Sequence, residues 1–182
     1  LSDNSIYSIY KDHEGGIWIG TMFGGVNYLP NRILTFDKYV PGSDSHSLNT
    51  KRIRGLAEDN NGCIWIGTED NGVNVLDPRT GKVHQIHDNV PGRLITLSVK
   101  HYENHIYVGL FKQGMNDISI PGEHLKYISD KELNIEEGSV YSFLKDSKGR
   151  TWIGPGWGLY VSQPKERKFR RVEEVGYNCC LL

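Results

Sequence analysis

The 182-residue chain has few cysteines, no long apolar run and no excess of charge. Its three cysteines, Cys63, Cys179 and Cys180, form neither a metal-binding motif nor an even disulfide framework, so we expect no metal, no cofactor and no disulfide scaffold. No segment approaches the roughly 20 apolar residues that span a bilayer, and no signal peptide opens the sequence. Either the chain is cytosolic, or its targeting and anchoring segments lie outside it.

The charge balance argues against nucleic acid or a membrane as a partner of this segment. The chain carries 21 Lys and Arg against 22 Asp and Glu. Its one basic cluster, residues 165–171, is typical of a solvated outer strand, where Lys and Arg also discourage edge-to-edge pairing.

What the sequence does contain is a repeat. Residues 12–20, 59–67 and 146–154 share an Asp, a Gly three positions later, a Trp six positions after the Asp and a Gly two positions after the Trp. A degenerate fourth copy lies in phase between the second and third of these, with Tyr107 at the Trp position and His101 at the Asp position. Self-similarity at a fixed period of this length indicates a repeat architecture.

Each repeat is predicted to form four short antiparallel strands. A β-branched or aromatic run ends at the Asp turn, a second run holds the Trp, and a third is closed by Pro30, Pro78 or Pro164. The predicted fourth strands are residues 34–36, 83–86, 125–128 and 168–172. Four strands in 42–47 residues is typical of a β-propeller blade, and no amphipathic stretch with helical periodicity supports a helical solenoid. The fold class is therefore all-β, a β-propeller of about four four-stranded antiparallel blades.

Two kinds of turn position recur in the repeat. The Asp carboxylate is expected to accept backbone N–H bonds across its turn, and the Gly three positions later can adopt a positive φ. We interpret two further glycines in each copy as fixed turn positions: 20 and 25, 67 and 72, 109 and 114, and 154 and 158.

The chain is predicted to be one array over residues 1–182, with blades at about 5–50, 51–92, 93–138 and 139–176. Residues 177–182 fall where earlier copies begin their first strand, so we interpret them as the start of a fifth blade, with a disordered tail as the alternative. An open arc leaves sheet edges that other blades or a second copy of the chain would cover. We therefore expect part of a larger ring, or else a closed ring of four blades.

The succession Asp-x-x-Gly-x-Ile-Trp-Ile-Gly-Thr and then Gly-Val-Asn, seen at residues 12–27, resembles the two-component regulator propeller repeat. The openings at residues 1–12 and 140–146 are similar to the start of that repeat. The resemblance implies a segment of the periplasmic sensor domain of a bacterial hybrid two-component system, an inner-membrane histidine kinase whose propellers sense glycan fragments. It implies a non-catalytic role for this chain, and because the repeat motif is structural it assigns no ligand-binding residue.

Strand order predicts where a ligand would bind. In an antiparallel blade the connections after the second and fourth strands share one end, while the Asp turns lie at the other. The inter-blade loops 40–50, 88–93 and 130–139 are expected at the first end, and variable loops on a rigid scaffold commonly carry binding. Aromatic rings beside charged groups suit an oligosaccharide, because a sugar ring stacks while its hydroxyls form hydrogen bonds. The candidate ligand-binding residues are Trp157, Phe23, Phe111, Lys112, Glu69 and Asp70.

The recurring aromatic residues are assigned to packing between blades. These are Trp18, Trp65, Tyr107 and Trp152. Truncating Trp18 to Ala is expected to cost about 3–5 kcal/mol through the cavity that it leaves.

Two other functions stay open at this point. One is a structural or protein-interaction propeller with no small ligand. The other is a propeller glycosidase or lyase that uses His46, His87 or Glu69 in a central funnel. The Asp turns resemble the Asp-boxes of sialidases, but the spacing from Asp to Gly differs by one residue and no arginine cluster or tyrosine nucleophile can be assigned.

Overall fold

A computed structural model describes residues 1–31, 37–86, 95–121, 123–166 and 168–177, with side chains up to residue 172. The chain forms two compact units, Leu1–Lys38 and Tyr39–Leu182. The sheets are called blades 1 to 4 in chain order.

The first unit contains blade 1, an antiparallel sheet in the order β1-β2-β3. Its strands are β1 (Ile6–Lys11), β2 (Ile17–Thr21) and β3 (Val26–Leu29). β1 ends at the Asp12 turn, β2 holds Trp18 and β3 ends directly before Pro30, as the sequence predicted. The predicted fourth strand at 34–36 lies outside the described residues.

The second unit contains three four-stranded antiparallel sheets, in each of which a strand pairs with the next along the chain. Blade 2 contains β4 (Ile53–Glu58), β5 (Ile64–Thr68), β6 (Val73–Asp77) and β7 (Lys82–Ile86). Blade 3 contains β8 (Thr96–Tyr102), β9 (His105–Leu110), β10 (Met115–Ser119) and β11 (His124–Ile128). Blade 4 contains β12 (Ser142–Lys145), β13 (Thr151–Gly154), β14 (Trp157–Ser162) and β15 (Arg170–Tyr177). The predicted all-β propeller architecture is confirmed.

One boundary differs from the sequence interpretation. Strand β15 extends to Tyr177, which pairs with Trp157 of the same blade, whereas the sequence analysis placed residue 177 at the start of a fifth blade. Residues 178–182, including Cys179 and Cys180, lie outside the described residues. Cys63 is a free thiol.

A short helix, α1 (Asp130–Leu133), lies in the connection between blades 3 and 4, where the sequence predicted only a loop. Ser129 and Glu132 form a capping box at its start, and Asn134 ends it in the left-handed conformation with φ 61°. Four residues are too few to give a periodic signal, so only the cap residues could have indicated this helix. Leu133 is 2% exposed and joins the core between blades 3 and 4.

Blades 2 and 3 pack through a core around Trp65, which is 1% exposed. The other buried members of this core are Val73, Val75, Ile86, Val99, Ile106, Val108, Leu110 and Ile118. Between blades 3 and 4, the Tyr107 ring stacks on Phe143 with centroids 4.8 Å apart. The prediction that Trp65 and Tyr107 pack between blades is confirmed.

Trp18 is described within the first unit alone. It is 42% exposed and stacks on Tyr28 within the first unit, with ring centroids 4.4 Å apart. The expected cost of about 3–5 kcal/mol for Trp18→Ala stays a prediction.

The glycines near the ends of the second strands of blades 2 and 3 provide room for the next blade instead of forming a turn. Gly67 lies inside β5, and a Cβ there would overlap the side chains of Val99 and Thr96 on β8. Gly109 approaches the backbone of Val140, at the entrance to blade 4, in the same way. The turn interpretation holds for the later glycines, which have positive φ: Gly25 (74°), Gly72 (69°), Gly114 (81°) and Gly158 (77°).

Candidate ligand-binding face

The ends of blades 2 to 4 differ in chemistry. We call the end that carries the β4–β5, β8–β9 and β12–β13 connections the turn face. The opposite end, with the β5–β6, β9–β10 and β13–β14 connections, is the loop face.

The Asp carboxylates organise the turns as predicted. Oδ1 of Asp59 accepts hydrogen bonds from the backbone N–H groups of Asn61 and Cys63, at 2.8 and 3.0 Å. Asp12 and Asp146 accept the same pair of bonds from residues two and four positions later. Each turn is thus closed by its own side chain.

A second bond at these turns was not foreseen from the sequence. The indole Nε1 of Trp65 donates to Oδ2 of Asp59 at 2.9 Å, and the Trp18–Asp12 and Trp152–Asp146 pairs repeat this bond at 2.8 and 2.9 Å. The constant spacing of six residues between Asp and Trp was the signal that could have revealed it.

In the turns of blades 1 and 4 these bonds favour the ionised form of the carboxylates of Asp12 and Asp146. The indole of Trp152, with help from backbone and side-chain bonds of Arg150, lowers the pKa of Asp146 to about 2. The pKa of Asp12 is lowered by the equivalent bond from Trp18. Both carboxylate oxygens are engaged within the turn, so the Asp turns are scaffold and not a ligand site.

On the loop face, the inter-blade connection of residues 129–141 packs against the β9–β10 connection. The backbone N–H of Lys112 donates to Oγ of Ser139 at 3.1 Å, and the N–H of Gly114 donates to the carbonyl of Gly138 at 2.7 Å. The two kinds of connection therefore meet, as strand order predicted.

In blade 2 the candidate carboxylates belong to the loop after β5. Oε1 of Glu69 lies 3.3 Å from Nη2 of Arg54, and the Glu69 backbone N–H donates to the carbonyl of Arg52. Oδ1 of Asp70 is buried and has no hydrogen-bond partner among the described residues. Glu69 is therefore engaged by Arg54, whereas Oδ1 of Asp70 is an acceptor without a partner among the described residues.

In blades 3 and 4 the candidates are aromatic and cationic. Nζ of Lys112 lies 5.2 Å from the ring centroid of Phe111, and Trp157 is 57% exposed. A Cβ placed on Gly156, the residue before Trp157, would lie 3.0 Å from Oε2 of Glu137 and 3.7 Å from Cε2 of Tyr141. Glu137 and Tyr141 thus flank the Trp157 strand start.

Sequence reasoning did not single out Glu137 or Tyr141. The inter-blade loop at 130–139 was assigned to this face, but a loop assignment does not show which of its side chains approach β14.

Phe23, the remaining candidate, belongs to the first unit. It is 83% exposed, and its backbone N–H donates to Oδ2 of Asp3 at 3.0 Å. It is described within that unit alone.

The residues considered for a catalytic funnel are not brought together. His46 packs beside Gly81 in the β6–β7 connection, at the turn face, whereas Glu69 lies at the loop face and is paired with Arg54. Nδ2 of Asn49 donates to the carbonyl of Asn71 in the β5–β6 connection at 2.9 Å, so the loop around residues 40–50 reaches both ends of blade 2 and not only the loop face, where it was expected. His87 lies outside the described residues.

Within the described ranges, no group of three or more His, Cys, Asp or Glu side chains is placed to hold a metal ion. In the same part of the chain, no helix has the length and apolar character that crossing a bilayer requires.

Comparison with known proteins identifies the repeat. Residues 1–23 and 47–70 match the two-component regulator propeller family. Comparison with curated protein sequences gave no match.

Solved structures share the fold at low sequence identity. The extracellular domain of BT3049 from B. thetaiotaomicron, described as a hybrid two-component system, is 22% identical with a TM-score of 0.57, over 96% of this chain and 29% of that one. The extracellular domain of BT4673 from the same organism, described as a one-component system, is 20% identical with a TM-score of 0.59, over 95% and 23%. The computationally designed Ika4 protein is 17% identical with a TM-score of 0.53, over 74% and 81%.

The chain spans less than a third of the two extracellular domains that it matches. Its matched repeats cover the first strands and Asp turns of blades 1 and 2. Residues 1–23 and 47–70 therefore match two-component regulator propeller repeats, and the chain has the β-propeller fold of those B. thetaiotaomicron extracellular domains.

Proposed function

We propose that this chain is a segment of a periplasmic sensor propeller, part of a hybrid two-component histidine kinase, and that its loop face binds a glycan. The repeat match and the extracellular domains that share its fold support the sensor role. The segment itself binds and does not catalyse, and phosphotransfer belongs to other parts of the parent protein.

The arrangement around Trp157 carries the ligand proposal. Trp157 offers an exposed indole as a stacking surface, and a carboxylate, Glu137, and a phenol, Tyr141, approach the preceding residue, Gly156. Sugars present the complementary pattern, an apolar ring face surrounded by hydroxyls. On the neighbouring blade, Lys112 over Phe111 repeats the combination of ring and charge.

We further propose that other propeller blades, or a second copy of the chain, cover part of this segment in the complete sensor. Strand β4 supports this, since Leu56 is exposed on it together with Ile53. Apolar side chains of an inner strand are normally covered in a propeller ring.

The test is a glycan array of neutral and acidic oligosaccharides, followed by calorimetric titration of each binder. Replacing Trp157 by Ala removes the stacking surface and is expected to weaken binding roughly fivefold, in line with about 1 kcal/mol for a stacked ring. Tyr7→Ala, which removes an exposed aromatic from the first unit, is the matched control and should leave the affinity unchanged.

Absence of binding to every oligosaccharide on the array would contradict the glycan proposal and favour a protein-interaction module. Equal affinity in the wild type and Trp157→Ala would place the glycan elsewhere on the chain.

A further inference from the structure

Blade 3 departs from the repeat at its first turn. Only two residues, 103 and 104, separate β8 from β9, whereas five residues separate the first two strands in each of the other blades. The Asp–Trp bond of the other blades has no counterpart here, because Tyr107 replaces the Trp and Nε2 of His101 contacts the carbonyl of Glu103 at 2.7 Å.

The residue paired with the Trp position on the neighbouring strand also differs in blade 3. Tyr107 is directly opposite Asp117 on the third strand of its blade, whereas the Trp residues of blades 2 and 4 are opposite Val75 and Val161. A carboxylate thus occupies a position that is apolar in its neighbours. Asp117 lies on the same face of the sheet as Tyr107, and this face is directed at blade 4 because the Tyr107 ring stacks on Phe143.

A cavity of about 240 Å³ lies at this departure, between blades 3 and 4. Its walls include Tyr107, Met115, Asp117, Phe143, Lys165 and Glu166. Met115 and Phe143 are buried and form the apolar side, whereas Lys165 and Glu166 are exposed and mark the opening at the turn face.

The polar groups of the cavity are both donors and acceptors. Oδ1 of Asp117 lies 2.6 Å from Nδ1 of His105, which leaves Oδ2 without a partner among the described residues. Burial, together with Asp117 and Glu103, raises the pKa of Tyr107 to about 12, so its hydroxyl keeps its proton and can donate. Lys165 adds a cation and adopts φ 69°, a conformation that is strained for a lysine and recurs at ligand clamps.

We infer that this inter-blade cavity binds a small polyhydroxylated ring, the size of a single sugar unit. One face of the ring packs on Met115 and Phe143, and its hydroxyls donate to Asp117 and accept from Tyr107 and Lys165. The volume lies below the roughly 300–1,000 Å³ of pockets for drug-sized ligands, which excludes an oligosaccharide chain. The site is separate from the loop face, since none of its walls belongs to the candidate set there.

The two methionines of the chain allow a direct test. Met115 lines the cavity, and Met22 lies in the β2–β3 connection of the first unit. The full chain labelled with ¹³C at the methionine methyl groups is titrated with D-glucose, D-galactose, D-xylose or D-glucuronate. We expect a saturable shift of the Met115 methyl signal with at least one of these sugars and no shift of Met22.

Three variants assign the shift to the cavity. Tyr107→Trp restores the residue of the other blades, removes the hydroxyl donor and narrows the cavity, so it should abolish the Met115 shift. Asp117→Asn removes a charged acceptor and should weaken binding about tenfold or more. Glu123→Gln breaks a similar carboxylate–histidine pair, 2.7 Å from His84 and outside the cavity, and should leave the affinity unchanged.

A Met115 signal that stays in place with all four sugars would overturn the inference, as would a shift that persists in Tyr107→Trp. If that variant fails to fold, unchanged affinity in Asp117→Asn has the same consequence. Glycan binding on the array that depends on Trp157 would be unaffected by these results, so the two proposals can fail independently.

Discussion

Trp65 and Asp59 link the core to the surface turn of blade 2: a side chain that is 1% exposed donates a 2.9 Å hydrogen bond to the carboxylate that closes the turn. Packing and turn geometry are therefore set by the same residue. The Trp of the repeat serves both purposes, and a ring without the N–H serves only one.

Replacing Trp65 by Phe keeps an aromatic ring but removes the donor. Asp59 is itself buried, so its unpaired oxygen should cost about 1–3 kcal/mol, in addition to the lost packing volume. Urea unfolding followed by circular dichroism measures the loss. Trp18→Phe removes the same bond at an exposed pair and should cost less, and equal losses in the two variants would contradict this explanation.

A Gly67→Ala substitution tests the close approach of blades 2 and 3. The added methyl group would overlap Val99 and Thr96, and overpacking of this kind costs about 1–3 kcal/mol. At the same repeat position in blade 1, Gly20→Ala meets only the rotatable hydroxyl of Ser8 and is the matched control. A melting temperature that falls for Gly67→Ala and holds for Gly20→Ala is the expected result.

We expect the free energy of unfolding to fall in acid, because the Asp146 carboxylate that closes the turn of blade 4 becomes protonated. The pKa of Asp146 is about 2 in the folded chain, below its ordinary value of 3.8, so the folded state favours the ionised form. The contribution is complete above about pH 5 and is lost as the pH falls from about 4 to 2. The difference in unfolding free energy between the wild type and Asp146→Asn should be constant above pH 5 and shrink below pH 4. A difference that does not vary from pH 2 to 6 would show that the charge is unimportant.

Leu133 of the short helix should matter more than its length implies. It is 2% exposed in the core between blades 3 and 4, so Leu133→Ala is expected to cost about 2–5 kcal/mol. Lys131→Ala on the exposed side of the same helix should change the stability by no more than about 0.5 kcal/mol. Similar values for both would mean that the helix is peripheral.

The sequence was sufficient for the strands and turns because both are local. Turn residues and closing prolines predicted that β3 ends before Pro30 and that the Asp turns are closed by backbone bonds to the carboxylate. Contacts between blades could not be predicted from the sequence in the same way. Gly67 was interpreted as a turn residue, since a space filled by a distant Val99 leaves no trace in neighbouring positions.

The candidate sites show the same limit. Strand order placed Trp157 and Lys112 at one end of the blades. That Glu137 and Tyr141 approach the start of β14 follows only from the structure of the inter-blade connection. The cavity at Tyr107 depends on the spacing of two blades. A degenerate copy of the repeat indicates where the structure departs from the pattern, but not the size or shape of the cavity that forms there.

The connection of residues 129–141 fixes the angle between blades 3 and 4. It is bonded to the β9–β10 connection of blade 3 through Ser139, and to the residue before β15 of blade 4, where Leu133 and Asn134 bond the backbone of Phe169. A single attachment would act as a hinge and allow one blade to rotate on the other. The two attachments lie at the loop face and at the turn face, and together they hold the two blades at a fixed angle. A ligand bound at either face therefore meets an interface between blades whose geometry is already set.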